Sequence, residues 1–261
     1  SSILVLTFSF YLILLARHKP QYEPWAIRLV SLPLMFSYLV RPTNWISILI
    51  LTIFILIHHR KHFLPYCLWS LLIVIPFCLY NFRIYNIILS PYYFPQIQLE
   101  LSTQILEALA GNLFSPSRGV FIFSPVFLFS IYGIVLKAKN KQIDSLDYAL
   151  VLIIILHWII SSLHPNWWAG HTYGPRYFTE MSPYFIYLLV PALINIPKFR
   201  GIKKFASVLF LFCTIAMSFF IHYRGATSED VYAWNAGPVN VDVDPSRVWD
   251  WRDIQFLRGL K

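Results

Sequence analysis

Charge is what this sequence has least of. Asp, Glu, Lys and Arg make up 13% of its 261 residues, against 57% hydrophobic ones, whereas soluble domains carry roughly 25% charged residues. A water-soluble globular domain is thereby excluded. Cysteine is nearly absent too. Cys67, Cys78 and Cys213 lie in apolar runs without disulfide or metal-ligand spacing, so they read as packing residues. No phosphate-binding glycine loop, dinucleotide fingerprint or nucleophile motif is present, and no cofactor is expected. His157, His164 and His171 are too few and too spread for zinc, which needs three or four convergent ligands; no metal site is expected. Apart from Glu180, near the end of one apolar run, no such run holds a mid-membrane carboxylate, which leaves a proton relay little to work with.

What is present is apolar length. Stretches of about 20 hydrophobic residues recur along the chain, the mark of a polytopic membrane protein. The expectation is an all-α membrane helix bundle of about eight spans, roughly 1–16, 25–40, 44–58, 63–82, 119–136, 146–163, 178–196 and 204–223. Ser1 opens inside an apolar run without a basic start, so residues 1–223 are expected to be an N-terminally truncated transmembrane domain.

Basic residues orient it. Eleven Lys or Arg fall in the four short odd-numbered connections, among them Arg17, Lys61, Lys139 and Lys203, while Lys261 is the only lysine in the even-numbered connections and tail. The odd connections are therefore expected in the cytoplasm and the C-terminus outside, as in a multi-pass protein of the cell (inner) membrane. The net charge of +9 is then a matter of topology and anionic lipid; nucleic acid is not needed as a partner. His58, His59 and His62 are expected to be solvated in a cytoplasmic basic turn.

Three segments face outward in this reading: 83–118, 164–177 and 224–261. In the first, Pro91–Tyr92–Tyr93–Phe94–Pro95 is a rigid lead-in. Ser102 and Thr103 can cap a short interfacial helix ending near Gly111, with Leu101, Ile105, Ala108 and Leu109 as its apolar face. The last segment, with Tyr232, Trp234, Trp249, Trp251 and Phe256 among turn signals, is expected to be a folded aromatic cap on the outer loops. It is either purely structural or offers carboxylates and tryptophans to a groove.

The central segment, H-P-N-W-W-A-G-H-T-Y-G-P-R-Y, mixes aromatics, histidines and an arginine with conformationally permissive glycines. Tyr173-Gly174-Pro175-Arg176-Tyr177 repeats the construction of Ser115-Pro116-Ser117-Arg118-Gly119: one arginine at the expected outer N-terminal end of a helix. Free N–H groups there favour an anion, and a guanidinium adds a bidentate phosphate contact. Arg118, Arg176, His171 and Ser117 are thus candidates for binding a phosphate-bearing substrate, with lipid headgroups as the alternative for the arginines and a structural hydrogen bond as the alternative for His171. Trp167, Trp168 and Tyr173 are candidates for packing on a sugar or carrier, with an interfacial aromatic belt as the alternative for the tryptophans. Glu180 is either a general base or the i+4 ion-pair partner of Arg176.

Three stretches carry a resemblance: G-N-L-F-S-P-S-R-G-V-F-I-F-S-P at 111–125, W-W-A-G-H-T-Y-G-P-R-Y-F-T-E at 167–180, and W-N-A-G-P-V-N-V-D with V-W-D-W-R-D-I-Q-F-L-R-G near the C-terminus. They resemble the bacterial phospholipid carrier-dependent glycosyltransferases, related to protein O-mannosyltransferases and the wider GT-C fold. The likeness spans about 105–261 and leaves 1–100 as generic helices. It implies sugar transfer from a polyprenyl-phosphate carrier to an acceptor hydroxyl at the extracytoplasmic face, with Arg118 and Arg176 on the leaving phosphate. That family's usual catalytic carboxylate, in the first outward loop, has no counterpart here, since the R-P-T-N turn at 41–44 holds no acid. The non-catalytic alternative is a lipid-carrier binding or translocating protein; a third is a structural partner subunit.

Overall fold

The computed structural model describes residues 2–89 and 103–260, and these contain helices, turns and no strand. The aromatic lead-in at 91–95, Leu101 and Ser102 lie outside the described residues. Four helical segments are long and apolar enough to cross a membrane: Arg60–Tyr85, Ser145–Ser162, Arg176–Lys198 and Gly201–Thr227; Ser2–His18 and Pro42–His58 are shorter apolar helices. The protein is thus an all-helical membrane protein. Its residues group into two compact units.

The first unit comprises residues 1–96, 144–157 and 180–183. It contains α1 (Ser2–His18), α2 (Glu23–Val40), α3 (Trp45–His58), α4 (Phe63–Tyr85) and the first part of α8 (Ser145–Ser162). Tight single-turn 3-10 segments join the first four, each placed where proline or a polar cluster ends an apolar run. At the α2–α3 corner the buried amide of Asn44 donates to Ser37 O at 2.8 Å and to Ser2 Oγ at 2.7 Å. The basic loops are tied to acids. Arg17 forks onto Asp144 at 2.8 and 3.1 Å. His59, expected to be solvated, is instead buried with its Nδ1 2.8 Å from Glu23 Oε1, because the acid opening α2 lies across the turn from it. Only 6% of the apolar window of Arg60–Tyr85 is buried, so almost all of that span is apolar surface suited to lipid.

The second unit holds residues 97–143, 158–179 and 184–261. Here α5 (Thr103–Phe114) runs one turn beyond the expected stop at Gly111. Gly111 is a close-approach position rather than a terminator: a Cβ there would lie 2.2 Å from the Trp167 ring. The expected span at 119–136 is also corrected, since it breaks into α6 (Val120–Phe123), a 3-10 turn at Pro125–Phe127, and α7 (Leu128–Lys139). Pro125 lacks an N–H and drives Ser124 out of the helical region, to φ −131°, ψ 66°. α7 packs on α9 (Ser182–Asn195) through small residues. Ser130 Oγ donates to Phe185 O at 2.7 Å, and a Cβ on Gly133 would collide with the Leu188 carbonyl at 2.0 Å. The long α10 (Gly201–Thr227) leads into the tail, which begins with α11 (Asp230–Ala233). Within the tail Trp234, Val241, Val248 and Phe256 are buried, while Tyr232 and Trp251 are exposed.

Candidate functional site

The second unit is organised by Arg118, although not as the sequence suggests. Ser115 shapes the turn, accepting the Arg118 N–H on Oγ at 2.9 Å and the Gly119 N–H on its carbonyl at 2.8 Å. The side chain then points inward and is 1% exposed. All five guanidinium N–H groups are used. Nε donates to Trp168 O at 2.6 Å; Nη1 to Ser117 O and Gln255 Oε1, both at 2.7 Å; Nη2 to Asn235 Oδ1 at 2.9 Å and Gly170 O at 3.1 Å. Its Cζ also lies 5.4 Å from the centroid of the Trp234 ring, and that of Arg247 4.4 Å. Burial lowers the Arg118 pKa to about 9, with Asp242 acting to raise it and Arg247 to lower it. The group remains cationic at neutral pH.

Every acceptor of Arg118 is a neutral oxygen of the protein itself. Arg118 and Ser117, which is wholly buried, therefore hold the protein together rather than reaching a phosphate. The helix-end argument for Arg118 fails as well: the helix after it has four residues, too short to build a useful dipole. Arg176 is exposed, and it opens a six-residue 3-10 segment, Arg176–Met181, rather than an α-helix.

That 3-10 geometry also corrects the pairing expected of Glu180. With three residues per turn, positions four apart no longer share a face. Glu180 belongs to the first unit, is 3% exposed, and forms its salt bridge with Arg41 at 2.5 Å. A buried carboxylate already held by a guanidinium is poorly placed to take a proton from a substrate.

Two of the aromatic candidates are structural. Trp167 is 5% exposed, in a core with Ala108, Trp234, Val241 and Val248, so no sugar reaches its face. Tyr173 donates its hydroxyl to Ile221 O at 2.6 Å and packs on Phe123 and Tyr232. It lies so close to Gly225 that a Cβ there would be 2.1 Å from its ring, and burial pushes its phenol pKa upward. The histidine preceding them is fixed locally: His164 Nδ1 accepts the Asn166 N–H at 3.2 Å, and partial burial lowers its pKa.

Trp168 and His171 remain at the surface, where the tail meets them. The Trp168 indole N–H donates to Asp242 Oδ1 at 2.8 Å, and His171 Nε2 lies 2.8 Å from Asn240 Oδ1 and 3.6 Å from Asp242 Oδ2. His171 and Asp242 are about half exposed, at 46% and 48%. The backbone between the two loop residues takes two successive left-handed conformations, φ +64° at Ala169 and +63° at Gly170. Arg118 grips the carbonyls on either side of Ala169, those of Trp168 and Gly170.

An indole, an imidazole, a carboxylate and an amide at one exposed place form a surface suited to a polyhydroxy ligand. Sequence reasoning misses Asp242 and Asn240 as individual site residues. Their signal is the V-N-V-D run in the tail, which marks its carboxylates only collectively. Gln255 is missed too. It is wholly buried, accepts from Arg118 and the Gly174 N–H, and donates to Thr172 O and Val231 O. Among the described residues no group of three or more His, Cys, Asp or Glu is arranged to hold a metal ion. No family model, curated protein or solved structure matches this chain.

Proposed function

We propose that the protein is a glycosyltransferase of the cell membrane, moving a sugar from a polyprenyl-phosphate carrier to an acceptor hydroxyl at the extracytoplasmic face. The observation that carries this reading is the surface group of Trp168, His171, Asn240 and Asp242, on a loop whose backbone Arg118 clamps. Preorganised polar groups beside a partly exposed aromatic suit sugar recognition and transfer. The motif resemblance at 111–125, 167–180 and in the tail points the same way. The lysine-rich odd-numbered connections support an eight-span arrangement with these loops outside.

Roles are redistributed within this reading. Exposed Arg176, eight residues beyond Trp168 on the same segment, takes the carrier phosphate. The face of Trp168 takes the sugar ring. Arg118 fixes the loop, and Glu180 anchors Arg41.

The test is transfer of labelled sugar from a polyprenyl-phosphate donor in proteoliposomes. Wild-type protein should turn over. Arg176→Ala should weaken carrier binding about tenfold or more, the loss of one charge-assisted phosphate contact of about 1.5–3 kcal/mol. Turnover and affinity unchanged by that substitution would remove Arg176 from the site. One observation favours a second reading, a non-catalytic carrier-binding protein: Glu180, the carboxylate that the sequence offers for catalysis, is buried and paired. Saturable carrier binding with no transfer to any acceptor would select it.

A further inference from the structure

We infer that His171, oriented by Asn240 and Asp242, is the proton acceptor for the incoming hydroxyl; this rests on the glycosyl-transfer reading above. The hydrogen bonds fix the protonation pattern without reference to any motif. Asn240 Oδ1 accepts the Asp242 backbone N–H at 2.9 Å, so that atom is the amide oxygen and not the nitrogen. An amide oxygen only accepts. His171 Nε2, 2.8 Å from the same atom, must therefore carry the proton in neutral imidazole. The lone pair then resides on Nδ1, the nitrogen opposite the one these partners hold.

Behind the Nε2–H stands a carboxylate. Asp242 is itself oriented, with Oδ1 engaged by the Trp168 indole and Oδ2 3.6 Å from His171 Nε2. This is the relation of base to orienting acid in a catalytic dyad: the acid holds the ring and stabilises the imidazolium once it forms. The charged groups around the imidazole are the Asp242 carboxylate and, interacting with that carboxylate, the Arg118 guanidinium.

The backbone supplies an independent observation. A non-glycine residue at φ +64° is strained, and Ala169 has no polar side chain to compensate for it. The strained turn separates Trp168 from His171 and is held open by the two Arg118 bonds to its carbonyls. Without that turn the indole and the imidazole would not both meet Asp242.

In the step itself, the acceptor oxygen forms a bond to the anomeric carbon as its proton passes to His171 Nδ1. The bond from that carbon to the carrier phosphate oxygen breaks, and the phosphate leaves with the electron pair. The half-exposed imidazolium then loses the proton to water. Glycoside, carrier phosphate and one proton are the products. His171 is the catalytic residue in this scheme and Asp242 a positioning residue.

The experiment compares wild type, His171→Ala and Asp242→Asn in the proteoliposome assay, with carrier binding measured in parallel. General-base catalysis contributes about 10²–10⁴-fold, so His171→Ala should lose at least about 100-fold in kcat at unchanged carrier affinity. Added imidazole should restore part of that loss. Asp242→Asn should lower kcat with little change in KM and should not respond to imidazole. Because His171 is a half-exposed surface residue, its removal should leave thermal stability intact, and Asp242→Asn keeps the side-chain shape. Wild-type transfer with an active His171→Ala overturns the assignment while leaving the transferase reading in place, as does a kcat loss that imidazole does not relieve. Absence of transfer by the wild type overturns both.

Discussion

Replacing Arg118 by Lys is the sharpest perturbation of this fold, because it keeps the charge and removes only the geometry. The guanidinium meets five neutral oxygens drawn from Ser117, Trp168, Gly170, Asn235 and Gln255. An ammonium has three N–H donors against five, so at least two of these hydrogen bonds are lost even if the shorter head is ideally centred. Each hydrogen bond to a charged group contributes about 1.5–3 kcal/mol, so losing two costs about 3–6 kcal/mol. An ammonium is more strongly hydrated than a guanidinium, so burying it costs more and does not offset this loss. At about 2–4 °C per kcal/mol for a chain of this size, the unfolding midpoint in detergent should fall by at least about 6 °C. The damage should also be local: trypsin or chymotrypsin should cut earlier within 164–177 and the tail than within α7 or α9. A double variant with Gln255→Leu should be less damaging than the two single effects added, since both residues serve one network. A midpoint within about 2 °C of wild type, with an unchanged digestion pattern, would refute the claim that this arginine clamps the loop and cap.

Other substitutions probe neighbouring claims. Arg41→Ala leaves Glu180 as a buried carboxylate without its salt-bridge partner and should cost about 3–5 kcal/mol. Arg41→Ala with Glu180→Gln should recover part of that loss in a thermal-unfolding comparison. Gly111→Ala drives a methyl into the Trp167 ring and should destabilise by about 1–3 kcal/mol, with a shift in tryptophan emission as the buried indole moves. Arg176→Lys, at an exposed position, should keep the charge but lose the bidentate geometry and so weaken carrier binding less than Arg176→Ala does, as a binding titration with polyprenyl phosphate would read.

Hydropathy and charge along the chain were sufficient for the class of protein. Long apolar runs with almost no acids can form only membrane helices, and composition alone dictates this because every backbone polar group in lipid must be satisfied within the chain. The interruption at Ser124–Pro125 was also visible in principle, since proline acts on its immediate neighbours.

Side-chain roles were not legible in the same way. Arg118 and Arg176 both follow proline-containing turns, yet one is buried with every donor used and the other is exposed. What distinguishes them is the set of acceptors Arg118 meets, some 50 to 137 positions away. The pairing of Glu180 with Arg41, 139 positions away, is of the same kind, as is the meeting of His171 with Asn240 and Asp242. Local sequence determined which stretches are apolar and helical, because those are short-range steric and hydration effects, but not every place where a helix stops or changes type. Tertiary structure alone decided which polar groups are spent on holding the fold and which are left at the surface for a ligand, because a hydrogen bond depends on what the rest of the chain brings within about three ångströms.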